Sequence, residues 1–254
     1  MSALQGTILV QGASRGIGLA LVRRLLAFAG IEQVIACSRA PADSADLQAL
    51  AAENGARLRL LALDVASEAS IAEAARILRD EVHRLHGLIN TAGVLHDAKT
   101  GMRPEKRLED LDAAHLEHSF RINALGPMLV AKHFLPLLRH DEPAFFASLS
   151  ARVGSIEDNH LGGWYSYRAS KAAQNQFTRT FAIEAARRAR NLRVLALHPG
   201  TTDTDLSAPF QRNVPKEKLF SPEFVAERLL SVIENTDTSD SGSFLDWDHK
   251  TIPW

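Results

Sequence analysis

The sequence has a single cysteine and two tyrosines in 254 residues. One thiol, Cys37, closes no internal disulfide, and a chain without such a framework suits a reducing, cytoplasmic setting. An excess of charge of either sign is also lacking: 29 Lys and Arg stand against 30 Asp and Glu. A protein that tracks a phosphate backbone carries a basic surplus, so nucleic acid is not an expected partner. No window approaches the roughly 18 consecutive apolar residues of a spanning helix. Met1–Gln5 has no basic run, and the apolar stretch Thr7–Val10 is too short for a signal peptide, so no membrane partner is expected. Metal-ligand spacing is missing too. His115 and His118 lie three apart on a charged stretch and read as a solvated face, so no metal is expected.

What is present is an ordinary globular composition, 46% hydrophobic and 23% charged. Short apolar runs recur at Thr7–Gln11, Gln33–Ser38, Arg57–Leu63, Gly87–Asn90, Ala144–Ser150, Leu192–His198 and Ser243–Trp247. Several are apolar on consecutive residues, the pattern of parallel strands buried on both faces. Helical periodicity fills the intervals at Arg15–Ala29, Ser44–Asn54, Ser67–Leu85, Leu111–Arg139, Trp164–Arg190 and Ser221–Asn235. Ser67 reads as an N-cap, Asn54-Gly55 as a helix stop, and Pro222 as a first helical residue behind Ser221. The alternation predicts one α/β domain over residues 1–254, a Rossmann fold with a doubly wound parallel sheet of about seven strands and helices on both faces. Two long connections, Val94–Asp110 and Gly200–Phe220, are placed to carry function, although the second also reads as a plain surface loop.

The first strand runs into Gly12-Ala13-Ser14-Arg15-Gly16-Ile17-Gly18 and then an amphipathic helix. Strand, glycine turn and helix N-terminus together suit a pyrophosphate, with Gly12, Ser14, Arg15, Ile17 and Gly18 around it. The second strand ends Ala36-Cys37-Ser38-Arg39, without the carboxylate that binds an NAD ribose. Arg39 and Arg15 are suited to a 2′-phosphate instead, so NADP(H) is expected in preference to NAD(H). Tyr167 and Lys171 lie four apart in a helical pattern and share one face. An ammonium beside a phenol favours the phenolate and brings an ordinary pKa near 10 closer to working range.

Taken together, these motifs resemble the short-chain dehydrogenase/reductase family. Gly12–Gly18 matches its glycine motif, Asn90-Thr91-Ala92-Gly93 its Asn-Asn-Ala-Gly motif, and Tyr167/Lys171 its Tyr-x-x-x-Lys pair. Asn123 matches the helix asparagine, Asp64-Val65 the adenine-contacting pair, and Pro199-Gly200 with Thr202 and Thr204 the segment after the sixth strand. Gly154-Ser155-Ile156, Gly163–Tyr167 and the ending Ile252-Pro253-Trp254 resemble the branch of C-factor-like proteins and sniffer-type carbonyl reductases. The resemblance implies hydride transfer between the nicotinamide and a small carbonyl or alcohol substrate, with Tyr167 as acid/base and Lys171 supporting it. It also implies that Asn123 holds a relay water, that Asn90, Ala92, Gly93, Pro199, Gly200, Thr202 and Thr204 line the cofactor, and that the chain forms a homodimer or homotetramer through Leu111–Arg139 and Trp164–Arg190.

One departure stands out. The family's catalytic serine lies three residues before a glycine, and counting back from Gly154 reaches Ala151. Ser150 is the nearest substitute and Ser155 the alternative. That gap keeps a second reading open: an NADP(H)-binding sensor or C-factor-like signalling protein with weak or vestigial catalysis. A dehydratase or epimerase is a third. Trp164 reads equally as a pocket wall or an aromatic core anchor.

Overall fold

In a computed structural model, which describes residues 4–254, seven strands form one parallel sheet in the order β3-β2-β1-β4-β5-β6-β9. They are β1 Gly6–Gln11, β2 Ile31–Ser38, β3 Leu58–Ala62, β4 Gly87–Asn90, β5 Ala144–Leu149, β6 Leu192–His198 and β9 Phe244–Asp246. A short parallel pair, β7 Thr201–Thr202 and β8 Leu219–Phe220, closes the base of the loop that follows β6. Ile8, Leu9 and Val10 of β1 are all fully buried, which explains apolar residues in succession. Alternate side chains point to opposite faces. Ile8 and Val10 join the core that contains Leu21, Val22, Leu229 and Leu230, while Leu9 joins the core that contains Ile71, Leu78, Phe134 and Phe181.

The helices are α1 Gly16–Leu26, α2 Ala45–Asn54, α3 Glu68–Glu81, α4 Ala113–Phe120, α5 Gly126–Leu138, α6 Tyr165–Arg188 and α7 Pro222–Glu234. Ser44, Ser67 and Ser221 each cap a helix by accepting a backbone N–H three residues on. α1 ends at Leu26, three residues short of the expected Ala29, and α3 ends at Glu81 rather than Leu85. The expected single helix Leu111–Arg139 is divided. Asp112 caps α4, a wide i→i+5 turn spans Arg121–Leu125, and α5 resumes at Gly126. Pro127 explains part of the break, since it has no N–H for the Asn123 carbonyl four residues back. Such turns widen a helix locally and recur at functional sites.

β1 and β4 are sheet neighbours, yet β1 continues outward to β2 and β3 while β4 continues to β5 and β6. The chain order reverses between them, and ligands in open α/β sheets bind in that crevice, outside the carboxyl ends of the strands.

Candidate active site

At the end of β1, the Gly12 and Ala13 amides both donate to the Cys37 carbonyl at 2.9 Å, which folds the turn against β2. Gly12 has φ of +88°, and a Cβ on Gly18 would lie 2.2 Å from the Gly12 oxygen. The backbone therefore passes so closely that neither position admits a side chain. α1 begins without a side-chain cap and without an acidic residue in its first turn, so its leading N–H groups are aimed at the crevice. Among the described residues four buried side-chain oxygens have no hydrogen-bond partner: Ser119 Oγ in α4 and, at strand ends, Ser38 Oγ of β2, Asn90 Oδ1 of β4 and Thr202 Oγ1 of β7. Orphaned polar atoms at adjoining strand ends, beside an uncapped helix, fit a polar dinucleotide.

Ser14 and Ile17 stand in the same turn; the Ser14 carbonyl accepts from Ser44 Oγ at 3.2 Å, and Ile17 packs on the core. Arg39 is exposed and has no polar partner among the described residues. Arg15, also exposed, pairs with Asp205 at 2.6 Å. Asp64 Oδ1 accepts from the Ala66 amide at 2.9 Å, holding the bend after β3, and Val65 is buried beside Gly126. Thr91 Oγ1 donates to the Gln11 carbonyl at 2.8 Å, and the Ala92 amide reaches Gln11 Oε1, which joins the ends of β1 and β4. Gly200 has φ of +75°, and Thr204 lies against Gly16.

Across the crevice, Tyr167 and Lys171 project from one face of α6, both buried. Lys171 Nζ lies 5.9 Å from the Tyr167 ring centroid. It donates to the Leu149 carbonyl at 2.7 Å and to Gln174 Oε1 at 2.9 Å. An ammonium has three donors, so one is left over. Burial pushes the Lys171 pKa down to about 7 and pushes the Tyr167 phenol up. Desolvation thus outweighs the expected lowering of the phenol by its neighbour, and Tyr167 stays protonated at neutral pH. A Cβ on Gly93 would lie 3.5 Å from Asn123 Oδ1 and 3.9 Å from Lys171 Nζ, so these three residues converge. Asn123 spends its side chain structurally. It accepts from the Val94 amide at 2.8 Å and donates to the Val94 carbonyl and to Ser170 Oγ, which itself donates to the Tyr167 carbonyl. Its side-chain oxygen and both amide hydrogens are thus already bonded.

Ser150 does not join this group. Its hydroxyl donates to Asn175 Oδ1 at 2.6 Å, eight residues beyond Tyr167 on α6, or about 12 Å along the helix axis. The reason is placement: β5 ends at Leu149, and Ser150 turns inward to α6 instead of toward the phenol. Ser155 is likewise engaged, with the Trp254 carbonyl and the Asp158 amide.

Two residues emerge that the motifs did not single out. Gln174 is buried against Lys171, and Glu105 is buried at the start of α6, where it accepts from the amide and hydroxyl of Ser166. Gln174 could have been noticed as a polar residue three positions after Lys171, on the face that had to be inward. Glu105 carries no local signal. Trp164 touches both Tyr167 (ring centroids 6.2 Å apart) and Phe210 (5.0 Å), which places it at the site rather than in the core.

Among the described residues no helix is long and apolar enough to cross a membrane. Comparison with known proteins places this arrangement in context. A family model described as short chain dehydrogenase matches residues 6–215. A 1-hydroxy-2-glutathionyl-2-methyl-3-butene dehydrogenase from Rhodococcus is 33% identical over 98% of this chain and 99% of its own. The C-signal protein of Myxococcus xanthus is 35% identical over 66% of this chain and 91% of its own. Among solved structures, an NADPH-bound carbonyl reductase from chicken fatty liver superposes with a TM-score of 0.88 at 30% identity, covering 100% of this chain and 96% of that one. The extent of the family match, the sheet order and the converging Asn123, Tyr167 and Lys171 agree: the chain belongs to the short-chain dehydrogenase family of NAD(P)-dependent oxidoreductases.

Proposed function

We propose that this protein is an NADPH-dependent carbonyl reductase in which Tyr167 protonates the substrate oxygen. The observation that carries the reading is the buried Tyr167–Lys171 pair at the crevice, with the phenol held in its protonated form. The nicotinamide supplies the hydride when bound. Tyr167 gives its phenolic proton to the carbonyl oxygen as the alcohol forms. Lys171, with one free donor, stabilises the phenolate left behind and holds the proton that restores it. We assign to the Asn123 main-chain carbonyl, which lacks its ordinary helical donor at Pro127, the water that returns a proton from solvent. Ser150, tied to Asn175, takes no part, so the substrate oxygen relies on Tyr167 without help from either serine.

Preference for NADPH rests on Arg39, which is exposed and unpaired among the described residues, and on the absence of a carboxylate at the end of β2. NADP is also what a Burkholderia multivorans short-chain dehydrogenase/reductase of similar fold holds, at 28% identity and a TM-score of 0.80. Exposed Leu125 near α5, with Phe177 and Ile183 on α6, supports a homodimer or homotetramer through these helices, a state that sedimentation velocity reads directly. The one cysteine, Cys37, is buried and closes no disulfide, which suits a reducing, cytoplasmic setting.

The test is reduction of a panel of aldehydes and ketones by wild type and Tyr167→Phe, followed at the nicotinamide absorbance. The expected loss is about 100-fold or more, the scale of a positioned general acid. Equal rates for the two proteins would overturn the reading. Tight NADPH binding with no turnover on any carbonyl would favour a sensor, the alternative that Ala151 keeps in view.

A further inference from the structure

We infer that Glu105 is a positioning residue for substrate selection: it holds Trp164 in a left-handed backbone conformation as the rigid wall of the carbonyl site, selecting flat aromatic carbonyls. The inference rests on the carbonyl reductase reading and adds to it a substrate class and the residue that enforces it.

Trp164 has φ of 53° and ψ of 43°, a region that bulky side chains rarely enter and that persists only where surroundings over-determine it. The surroundings are specific. The Trp164 amide donates to the Glu105 carbonyl at 2.5 Å. The Glu105 carboxylate accepts from the Ser166 amide at 3.2 Å and from the Ser166 hydroxyl. Gly163, at φ of +64°, brings its Cα so close that a Cβ would lie 3.3 Å from the Glu105 oxygen. From the other side, Arg168 Nε donates to the carbonyls of Gly162 and Gly163 at 3.3 and 3.0 Å. Residues 162–166 are therefore clamped between Glu105, whose main-chain carbonyl takes the Trp164 amide and whose carboxylate takes Ser166, and the Arg168 guanidinium. The carboxylate is the deeper of the two: Glu105 is 5% exposed and forms no ion pair among the described residues. Its charge is met by the N-terminus of the 24-residue helix α6, whose leading N–H groups have no other side-chain cap.

A helix could be capped with far less strain by a serine or aspartate at position 164 itself. What the strained turn achieves is the direction of the indole. Its ring sits edge-on to Tyr167 at 6.2 Å and meets Phe210 at 5.0 Å. Phe210 in turn contacts His96 at 5.9 Å. Trp164 thus sits at the N-terminus of the catalytic helix, and Phe210 on the short 3-10 helix Ala208–Asn213 in the long loop after β7. Packed on each other, the two rings make one continuous aromatic wall next to the proton donor, against which a planar apolar group can stack.

The experiment compares an aryl ketone with a short aliphatic aldehyde in wild type, Glu105→Ala and Glu105→Gln, with NADPH saturating. Glu105→Ala is expected to raise KM for the aryl ketone about tenfold or more, the scale of leaving buried donors unpaired. The aliphatic aldehyde should change less than about threefold, since it does not need the wall. Glu105→Gln keeps an acceptor for the Ser166 amide and should restore most of the aryl preference. Equal losses on both substrates in Glu105→Ala would show a plain structural cap and overturn the inference. A second readout needs no turnover. With Trp247 and Trp254 replaced by phenylalanine, Trp164 fluorescence should become more open to acrylamide quenching in Glu105→Ala and stay near wild type in Glu105→Gln. Unchanged quenching in Glu105→Ala would also overturn it. A wild type that reduces no carbonyl would sink the proposed activity, while the fluorescence arm would still decide the role of Glu105.

Discussion

Replacing Gln174 with methionine should move the pH dependence of reduction without disturbing shape. Gln174 is 1% exposed and accepts from Lys171 Nζ at 2.9 Å, while its amide donates to Leu149 at 3.3 Å. Burial already brings Lys171 down to about 7, and each acceptor favours the ammonium against that desolvation. A hydrogen bond to a charged group contributes about 1.5–3 kcal/mol. Its loss lowers the Lys171 pKa further by about one to two units, at 1.36 kcal/mol per unit. The sign follows from the chemistry. Reduction uses the protonated pair, so activity is present below the Lys171 pKa and lost as pH rises through it. Wild type should therefore decline through about pH 7, and the variant through about pH 5–6. At neutral pH the ammonium fraction falls from about half to about a tenth or less, giving a loss of about fivefold or more that acid restores. The assay is kcat/KM for the carbonyl at saturating NADPH over about pH 5–9, which reports groups of the enzyme before substrate binds. Circular dichroism would check that the helix is intact. Superimposable profiles for the two proteins would refute the reasoning, because Gln174 would then hold no charge on Lys171.

Arg39→Ala should raise KM for NADPH about tenfold or more and leave NADH unchanged, since a guanidinium recognises only the 2′-phosphate. Steady-state kinetics with both cofactors checks this. Ser150→Ala should keep kcat within about twofold and lower unfolding free energy by about 1–3 kcal/mol, because Asn175 Oδ1 is left without its buried donor. Urea denaturation and carbonyl turnover separate the two effects. Gly18→Ala should abolish NADPH binding in a fluorescence titration, as the new Cβ would lie 2.2 Å from the Gly12 oxygen and push the turn apart.

Much of the fold was legible because its signals are local. A buried parallel strand shows as consecutive apolar residues, and Ser44, Ser67 and Ser221 mark helix starts through bonds only three residues long. The glycine turn and the Tyr167–Lys171 spacing are local in the same sense. The break at Arg121–Leu125 was missed because apolar periodicity continues across it, although Pro127 marks it locally; the bonds of Asn123 to Val94 and Ser170, made inside the widened turn, have no local signal. Ser150 illustrates the other limit. Strand alternation leaves its direction open once β5 ends, and a partner 25 residues away settles it.

The inward face of α6 shows why the site itself was only half readable. Its buried residues include Ser166, Tyr167, Ser170, Lys171, Gln174, Asn175 and Thr178, polar nearly throughout. A helix that buries polar groups must find a partner for each, or lose the stability that desolvation costs. Those partners include three separate segments: Glu105 on the loop after β4, Asn123 in the wide turn, and Leu149-Ser150 at the end of β5. Periodicity identifies the face as inward and the motif identifies two of its residues, but neither says which distant groups meet the rest. The same requirement explains why Lys171 and Tyr167 can be reactive at all. They are buried among neighbours whose own hydrogen bonds are already made, so the free donor of Lys171 and the Tyr167 hydroxyl are what remain for chemistry.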